Sequence, residues 1–190
     1  PIFVHAKFLI KIRKKTFRLL TVARFRPEKN LFMLLDVFKQ LDASFSFTLI
    51  GFGDQEQELK EYAYERCKLS QHRVLFIIKP EKQMLVQAYK QANVFIFASK
   101  TETQGIVFAE SMGAGTPVVA FKAPGAQDII QDGQNGFLVT SKKQMVNRLQ
   151  ELQTDLKLYR MLCKNAFATG QEYKIEGLTQ ILLHLYQQQP

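Results

Sequence analysis

Residues 18–41 read RLLTVARFRPEKNLFMLLDVFKQL, and the change of period inside this stretch decides the fold. Arg18 to Ala23 is a short run, apolar on consecutive positions rather than alternating, as in a strand buried on both faces of a parallel sheet. Leu31, Leu34, Leu35, Phe38 and Leu41 then recur at helical spacing, and Asn30 stands where a residue can cap that helix. The same change repeats downstream. Phe47 to Gly51 (FTLIG), Arg73 to Ile78 (RVLFII), Val94 to Ser99 (VFIFAS), Pro117 to Phe121 (PVVAF) and Gly136 to Val139 (GFLV) read as buried strands, and Leu85, Ala88, Tyr89 and Ala92 as a helix between two of them. Alternation of this kind predicts a doubly wound α/β sheet of about six parallel strands joined by right-handed crossovers. After the sixth run the pattern turns helical: Leu152 to Gly170, then Ile175 to Tyr186 with Leu178, Ile181, Leu182 and Leu185 on one face. That last face either packs back on the sheet or docks on a partner domain.

The bulk properties fit one domain. A chain of 190 residues, 46% hydrophobic, buries a real core. Cys67 and Cys163 lie far apart and form no CxxC or Cys/His cluster, which points away from disulfide scaffolds and zinc sites and toward a reducing, cytoplasmic compartment. No apolar run approaches the roughly 20 residues of a membrane-spanning helix. The opening PIFVHAKFLIKIRKK carries its charges after its apolar stretch, the reverse of a secretory signal; residues 1–17 read as an interdomain segment and the chain as a fragment. The net charge of +9 favours anionic partners. Lys11, Arg13, Lys14, Lys15 and Arg18 form the one dense basic run, a solvated flank or a membrane-surface contact. Nucleic acid is disfavoured, because the basic residues do not interleave with stacking aromatics and most of the 16 Phe fall in core patterns. His5, His72 and His184 match no motif.

Doubly wound sheets bind ligands outside the carboxyl ends of their strands, so the loops there carry the candidate chemistry. Arg24 to Asn30 places Arg24, Arg26 and Lys29 beside a helix start, a set suited to a diphosphate or, equally, a solvated basic loop. Gly51-Phe52-Gly53-Asp54 permits close backbone approach or a tight turn and is weak as a ligand motif. Ser99 to Gly105 leads into a helix-like stretch from Ile106 to Met112, followed by Gly113-Ala114-Gly115-Thr116-Pro117. Glu102 would lie in the loop and Glu110 about one and a half turns into the helix, facing the same crevice. Ionised Glu is a strong acceptor for paired sugar hydroxyls; the alternative is an exposed Glu and a helix-capping Glu.

The run ETQGIVFAESMGAGTPVVAF resembles the E-x7-E signature of retaining GT-B glycosyltransferases of glycosyltransferase family 4, also called group 1. LLTVARFRPEKN is similar to that family's first donor-domain strand and phosphate loop, FTLIGFGDQEQEL to its second strand and Gly turn, QAYKQANVFIFASKTETQG to its fourth unit and APGAQDIIQDGQNGFLV to the segment after it. The resemblance covers most of residues 18–140 and implies a Rossmann-like C-terminal half of a GT-B fold, spanning residues 1–190, without the N-terminal acceptor domain.

It further implies that Arg24 and Lys29 hold the donor diphosphate and stabilise its growing charge, that Glu102 meets the transferred sugar and Glu110 the ribose, that the N–H groups around Gln104, Gly105 and Ile106 face sugar or phosphate, and that the base lies near Ile78 and Lys79. The donor implied is a nucleotide-diphosphate sugar, with UDP-glucose foremost, used without a metal or other cofactor. Departures from the family pattern are Ala23 and Lys79 for common Gly, Asn93 for Asp and Asp128 for Glu; Lys79 stands where a glycine φ is to be expected. The segment around Thr-Glu-Thr-Gln before Gly105 is most similar to members that glucosylate membrane lipids such as diacylglycerol, implying a protein at the inner face of an anionic membrane. Polysaccharide or lipopolysaccharide assembly is the neighbouring alternative, and a non-catalytic nucleotide-binding domain the alternative of another class. A sugar epimerase or phosphorylase ranks lower, for no lysine environment suits a pyridoxal cofactor.

Overall fold

Residues 16–173 are described by a computed structural model. Among them six strands form one parallel sheet: β1 (Phe17–Arg24), β2 (Phe45–Phe52), β3 (Val74–Ile78), β4 (Val94–Phe97), β5 (Val118–Phe121) and β6 (Gly136–Val139). The order across the sheet is β3-β2-β1-β4-β5-β6. This is the doubly wound, Rossmann-like arrangement, and each strand matches a run read from the sequence to within a few residues.

Consecutive residues of one strand feed opposite cores. Leu19, Phe47, Ile96 and Val119 face the helices α1 (Leu31–Phe38), α2 (Glu56–Glu61) and α6 (Lys142–Thr154), while Leu20, Ile50, Phe95 and Val118 face α3 (Lys82–Gln91), α4 (Ile106–Gly113), α5 (Pro124–Ile129) and part of α7 (Leu156–Glu172). A side-chain period of two with both faces covered is the reason the strands read as unbroken apolar runs. On the second face, α7 crosses α4 at backbone contact: a Cβ on Gly170 would lie 2.2 Å from the Gly113 amide nitrogen. No helix among the described residues is long and apolar enough to cross a membrane.

Two local expectations need correction, and a third, the close backbone approach at Gly51 and Gly53, is met. Asn30 begins α1 but does not cap it with its side chain. A 3-10 turn over Pro27–Lys29 closes through Asn30 N–H to the Pro27 carbonyl at 3.0 Å and leaves Asn30 left-handed, at φ 53°, with its amide reaching Met33 Sδ. The stretch foreseen as one helix from Leu152 to Gly170 is two: α6 starts at Lys142 behind a Ser141 cap, and Asp155 interrupts the helix and caps α7 by accepting from Leu158 N–H. Gly53 and Gly51 belong to the folding of a loop, since a Cβ on Gly51 would lie 1.8 Å from the Ala23 carbonyl oxygen and one on Gly53 2.4 Å from that of Phe25. The helix foreseen over Ile175 to Tyr186, the Lys11–Lys15 portion of the basic run, His5 and His184 fall outside the described residues; His72 lies exposed in the turn before β3.

Lys79, just past β3, is left-handed at φ 46°. A side chain there costs about 1 kcal/mol that glycine escapes. Lys79→Gly is expected to raise the melting temperature by about 2–4 °C, read by circular dichroism; an unchanged or lower value would show the strain is absorbed elsewhere.

Candidate functional site

The strand order reverses between β1 and β4, so the loops following those two strands flank one crevice at the carboxyl edge of the sheet. The β1 loop is held from below. Phe25 is fully buried, its N–H donates to the Phe52 carbonyl at 2.8 Å, and its own carbonyl accepts from Gln55 N–H at 3.1 Å. The glycines at 51 and 53 are what let β2 approach closely enough to make these bonds. Arg24 and Arg26 on either side stay exposed, and Lys29, ending the 3-10 turn, leans over the Phe97 ring at the tip of β4, 5.7 Å from its centroid.

The β4 loop is held from the other side. Gly105 is left-handed at φ 63°, and a Cβ on it would lie 2.6 Å from the Gly125 carbonyl oxygen. Gly125 N–H donates to the Glu102 carbonyl at 2.9 Å, clasping residues 102–105 against the start of α5. Within this clasp the Glu102 carboxylate does two jobs. Oε2 accepts from Lys29 Nζ at 3.0 Å, across the crevice, and Oε1 accepts from the N–H groups of Gly105 at 3.1 Å and Gln104 at 3.3 Å, where α4 begins. Burial pushes this carboxyl up, but the Lys29 hydrogen bond, the Gly105 amide and the Lys29 charge outweigh it and hold the group below the usual range. Glu102 thus serves as a cap on the start of α4, and the residue paired with it is Lys29, expected from the sequence at a diphosphate.

Glu110 stands apart from that contact. Its Oε2 accepts from the Tyr89 hydroxyl of α3 at 2.9 Å, a partner that helical spacing had marked only as core. Arg24 and Gln104 are exposed, Gly105 is buried and Ile106 half-buried at the first turn of α4; among the described residues no ion pair engages Arg24. Ile78 pairs with Gly51 at the end of β3, and Lys79 extends over the exposed Phe52 ring, 5.5 Å from its centroid, so both sit along the same carboxyl edge, two strands away from β1. Asn93 and Asp128 take different places. Asn93 is buried and binds Arg18 N–H and Tyr159, whereas Asp128 is exposed on α5. No group of three or more His, Cys, Asp or Glu side chains placed to hold a metal ion occurs among the described residues.

The family described as glycosyl transferases group 1 matches residues 6–169. The alpha-monoglucosyldiacylglycerol synthase of Streptococcus pneumoniae is 33% identical over 154 residues, 78% of this chain and 33% of that protein. Its namesake from Acholeplasma laidlawii is 27% identical over 168 residues, 87% of this chain and 42% of that protein. The chain therefore spans less than half the length of these relatives. A solved structure of Anabaena Alr3699/HepE in complex with UDP and glucose superposes with a TM-score of 0.80 at 24% identity, over 92% of this chain and 49% of that one, and establishes the likeness of fold.

The Lys29–Glu102 pair makes the site sensitive to acid. Because the folded value of Glu102 lies below the ordinary 4.5, the stability it contributes is present above that value and is lost as the pH falls through the lowered one. Urea unfolding followed from about pH 6 to about pH 3 should show a shallower acid limb in Glu102→Gln than in the parent. In Lys29→Met the Glu102 carboxyl, left with its burial, should titrate higher by NMR. An unmoved titration would mean that Lys29 does not hold the carboxylate in solution.

Proposed function

This chain belongs to the glycosyl transferases group 1 family, and on that premise we propose that it is the donor-binding half of a retaining GT-B enzyme that moves glucose from UDP-glucose to a membrane lipid. The observation that carries the reading is the Lys29–Glu102 contact at 3.0 Å, spanning the reversal point of the sheet where ligands of such folds bind. A cation, a carboxylate able to accept from sugar hydroxyls and the start of α4 are gathered there within one contact.

On this reading the donor diphosphate takes over what Glu102 holds in its absence. Lys29 and the exposed Arg24 engage the phosphate oxygens, and the N–H groups of Gln104, Gly105 and Ile106 at the start of α4 add donors of fixed direction. The Glu102 carboxylate, relieved of Lys29, turns to the hydroxyls of the sugar. As the bond from the anomeric carbon to the phosphate oxygen breaks, negative charge grows on the leaving diphosphate, and the two cations stabilise it without needing to move. The acceptor hydroxyl's oxygen bonds to the anomeric carbon on the face the phosphate leaves, its proton passing to the departing phosphate oxygen, and configuration is retained. Glu110 takes the ribose hydroxyls, and main-chain groups near Ile78 and Lys79 read the base.

Support for glucose and a lipid acceptor comes from two relatives whose names specify monoglucosyldiacylglycerol synthesis. The net charge of +9 is in keeping with work at an anionic membrane surface. We assign acceptor binding to an N-terminal domain of the whole protein and metal-independent charge neutralisation to Arg24 and Lys29.

Calorimetric titration of UDP, UDP-glucose and GDP-mannose into this chain tests the assignment. UDP and UDP-glucose should bind, unaffected by EDTA, and Lys29→Ala should weaken both by roughly tenfold or more. Failure of every nucleotide to bind would sink the donor-site reading. Tighter binding of GDP-mannose would keep the site and overturn the donor, and appreciable glucose transfer by the 190-residue chain alone would overturn the division of labour between domains. Pelleting of the whole protein with anionic vesicles should be strong at low salt and fade at high salt; no pelleting at either would remove the lipid acceptor.

A further inference from the structure

The turn Gly113-Ala114-Gly115-Thr116-Pro117 has no place in the donor contacts above, yet it is tightly built. Gly115 is left-handed at φ 70°, Thr116 N–H donates to the Ser111 carbonyl at 3.0 Å, and the Ser111 hydroxyl donates to the Thr116 carbonyl at 3.0 Å. The Thr116 hydroxyl then reaches out of the turn and donates to the main-chain carbonyl of Tyr89 at 2.8 Å. Ser111, Thr116 and Tyr89 are all fully buried. Tyr89 is thereby gripped at its backbone from α4's far end, while its ring packs on Phe95 of β4 at 5.9 Å and its hydroxyl donates to Glu110 Oε2 at 2.9 Å.

A buried phenol needs an acceptor, and a main-chain carbonyl would satisfy it. This one instead takes a half-buried carboxylate, at the one α4 position assigned to the ribose. Burial first, and then the neighbouring Glu110 charge, push the phenol well above its ordinary range, so it stays protonated and remains a donor at every physiological pH. A hydrogen bond from a rigid donor to an ionised acceptor is short-ranged and directional, and it selects one rotamer from the several open to a glutamate.

We propose that Tyr89 is the positioning residue for Glu110, holding its carboxylate in the rotamer that receives the ribose hydroxyls, with the Thr116 turn fixing Tyr89 in its place. The inference rests on the reading of Glu110 as the ribose ligand. It gives the 113–117 turn a function without a ligand contact: the turn aligns α3 with α4, and that alignment sets where a carboxylate stands.

Titration of UDP and of its 2′,3′-dideoxy analogue into the parent chain, Tyr89→Phe, Glu110→Ala and the double variant separates positioning from packing. Tyr89→Phe should weaken UDP by roughly fivefold and leave the dideoxy analogue unchanged. Glu110→Ala should weaken UDP further, and adding Tyr89→Phe to it should cost nothing more. Equal weakening of both nucleotides by Tyr89→Phe, with a lowered melting temperature, would reduce the phenol to a packing role and overturn the proposal. So would UDP affinity unchanged in Tyr89→Phe but weakened in Glu110→Ala. Full UDP affinity in Glu110→Ala would take down the ribose assignment and this inference with it.

Discussion

Lys29 and Glu102 are 73 residues apart, and they meet because β1 lies beside β4. That pairing is short, Leu19 with Val94 and Leu20 with Phe95, and it needs reinforcement at its start. Asn93 supplies it. Its N–H donates to the Arg18 carbonyl at 2.7 Å, its side-chain oxygen accepts from Arg18 N–H at 2.9 Å, and its amide and carbonyl both engage the Tyr159 hydroxyl of α7. One buried side chain thus joins the two halves of the sheet and ties the joint to the C-terminal helices. Every distance across the crevice is inherited from that joint, since the loops on its two sides are fastened to different halves, one to β2 through Phe25 and the other to α5 through Gly125.

The local chemistry at the crevice is a conflict settled in favour of charge. A carboxylate taken partly out of water prefers to be protonated, and a helix start and an ammonium group prefer it ionised. The second preference prevails at Glu102. The outcome is a loop ordered by its own carboxylate, with the N–H groups of Gln104 and Gly105 and the Lys29 ammonium all directed at Glu102.

The strands were legible because burial on both faces leaves a continuous apolar signature, and α1 because four of its apolar side chains, Leu31, Leu34, Leu35 and Phe38, recur at helical spacing. Asn30 was misread as a cap because sequence spacing cannot register that Pro27 nucleates a 3-10 turn, which rotates the next residue into the left-handed region. The start of α6 was missed for a different reason: its opening Lys142-Lys143-Gln144 is polar, and only the later Met145, Val146, Leu149 and Leu152 touch the core. At the site, Glu102 and Lys29 were each singled out, but their contact was not, since nothing in spacing reports a distance between loops of different strands. Tyr89 carried even less of a signal. Its spacing matches a core residue, which it is, and only the fold brings its hydroxyl onto the Glu110 carboxylate. Lys79 was the reverse case, where a departure from a glycine-rich pattern foretold its left-handed backbone.

On the proposed donor-site reading, the salt contact between Lys29 and Glu102 would also make the crevice choosy. A small monovalent anion that came to the ammonium group would have to evict a tethered carboxylate of equal charge that already enjoys two amide donors, and so would gain little for its trouble. A ligand bearing several charges and, alongside them, hydroxyls to occupy the evicted carboxylate compensates both sides of the exchange at once. On that reading, a side chain of the crevice's own thus acts as the incumbent that an arriving ligand has to displace.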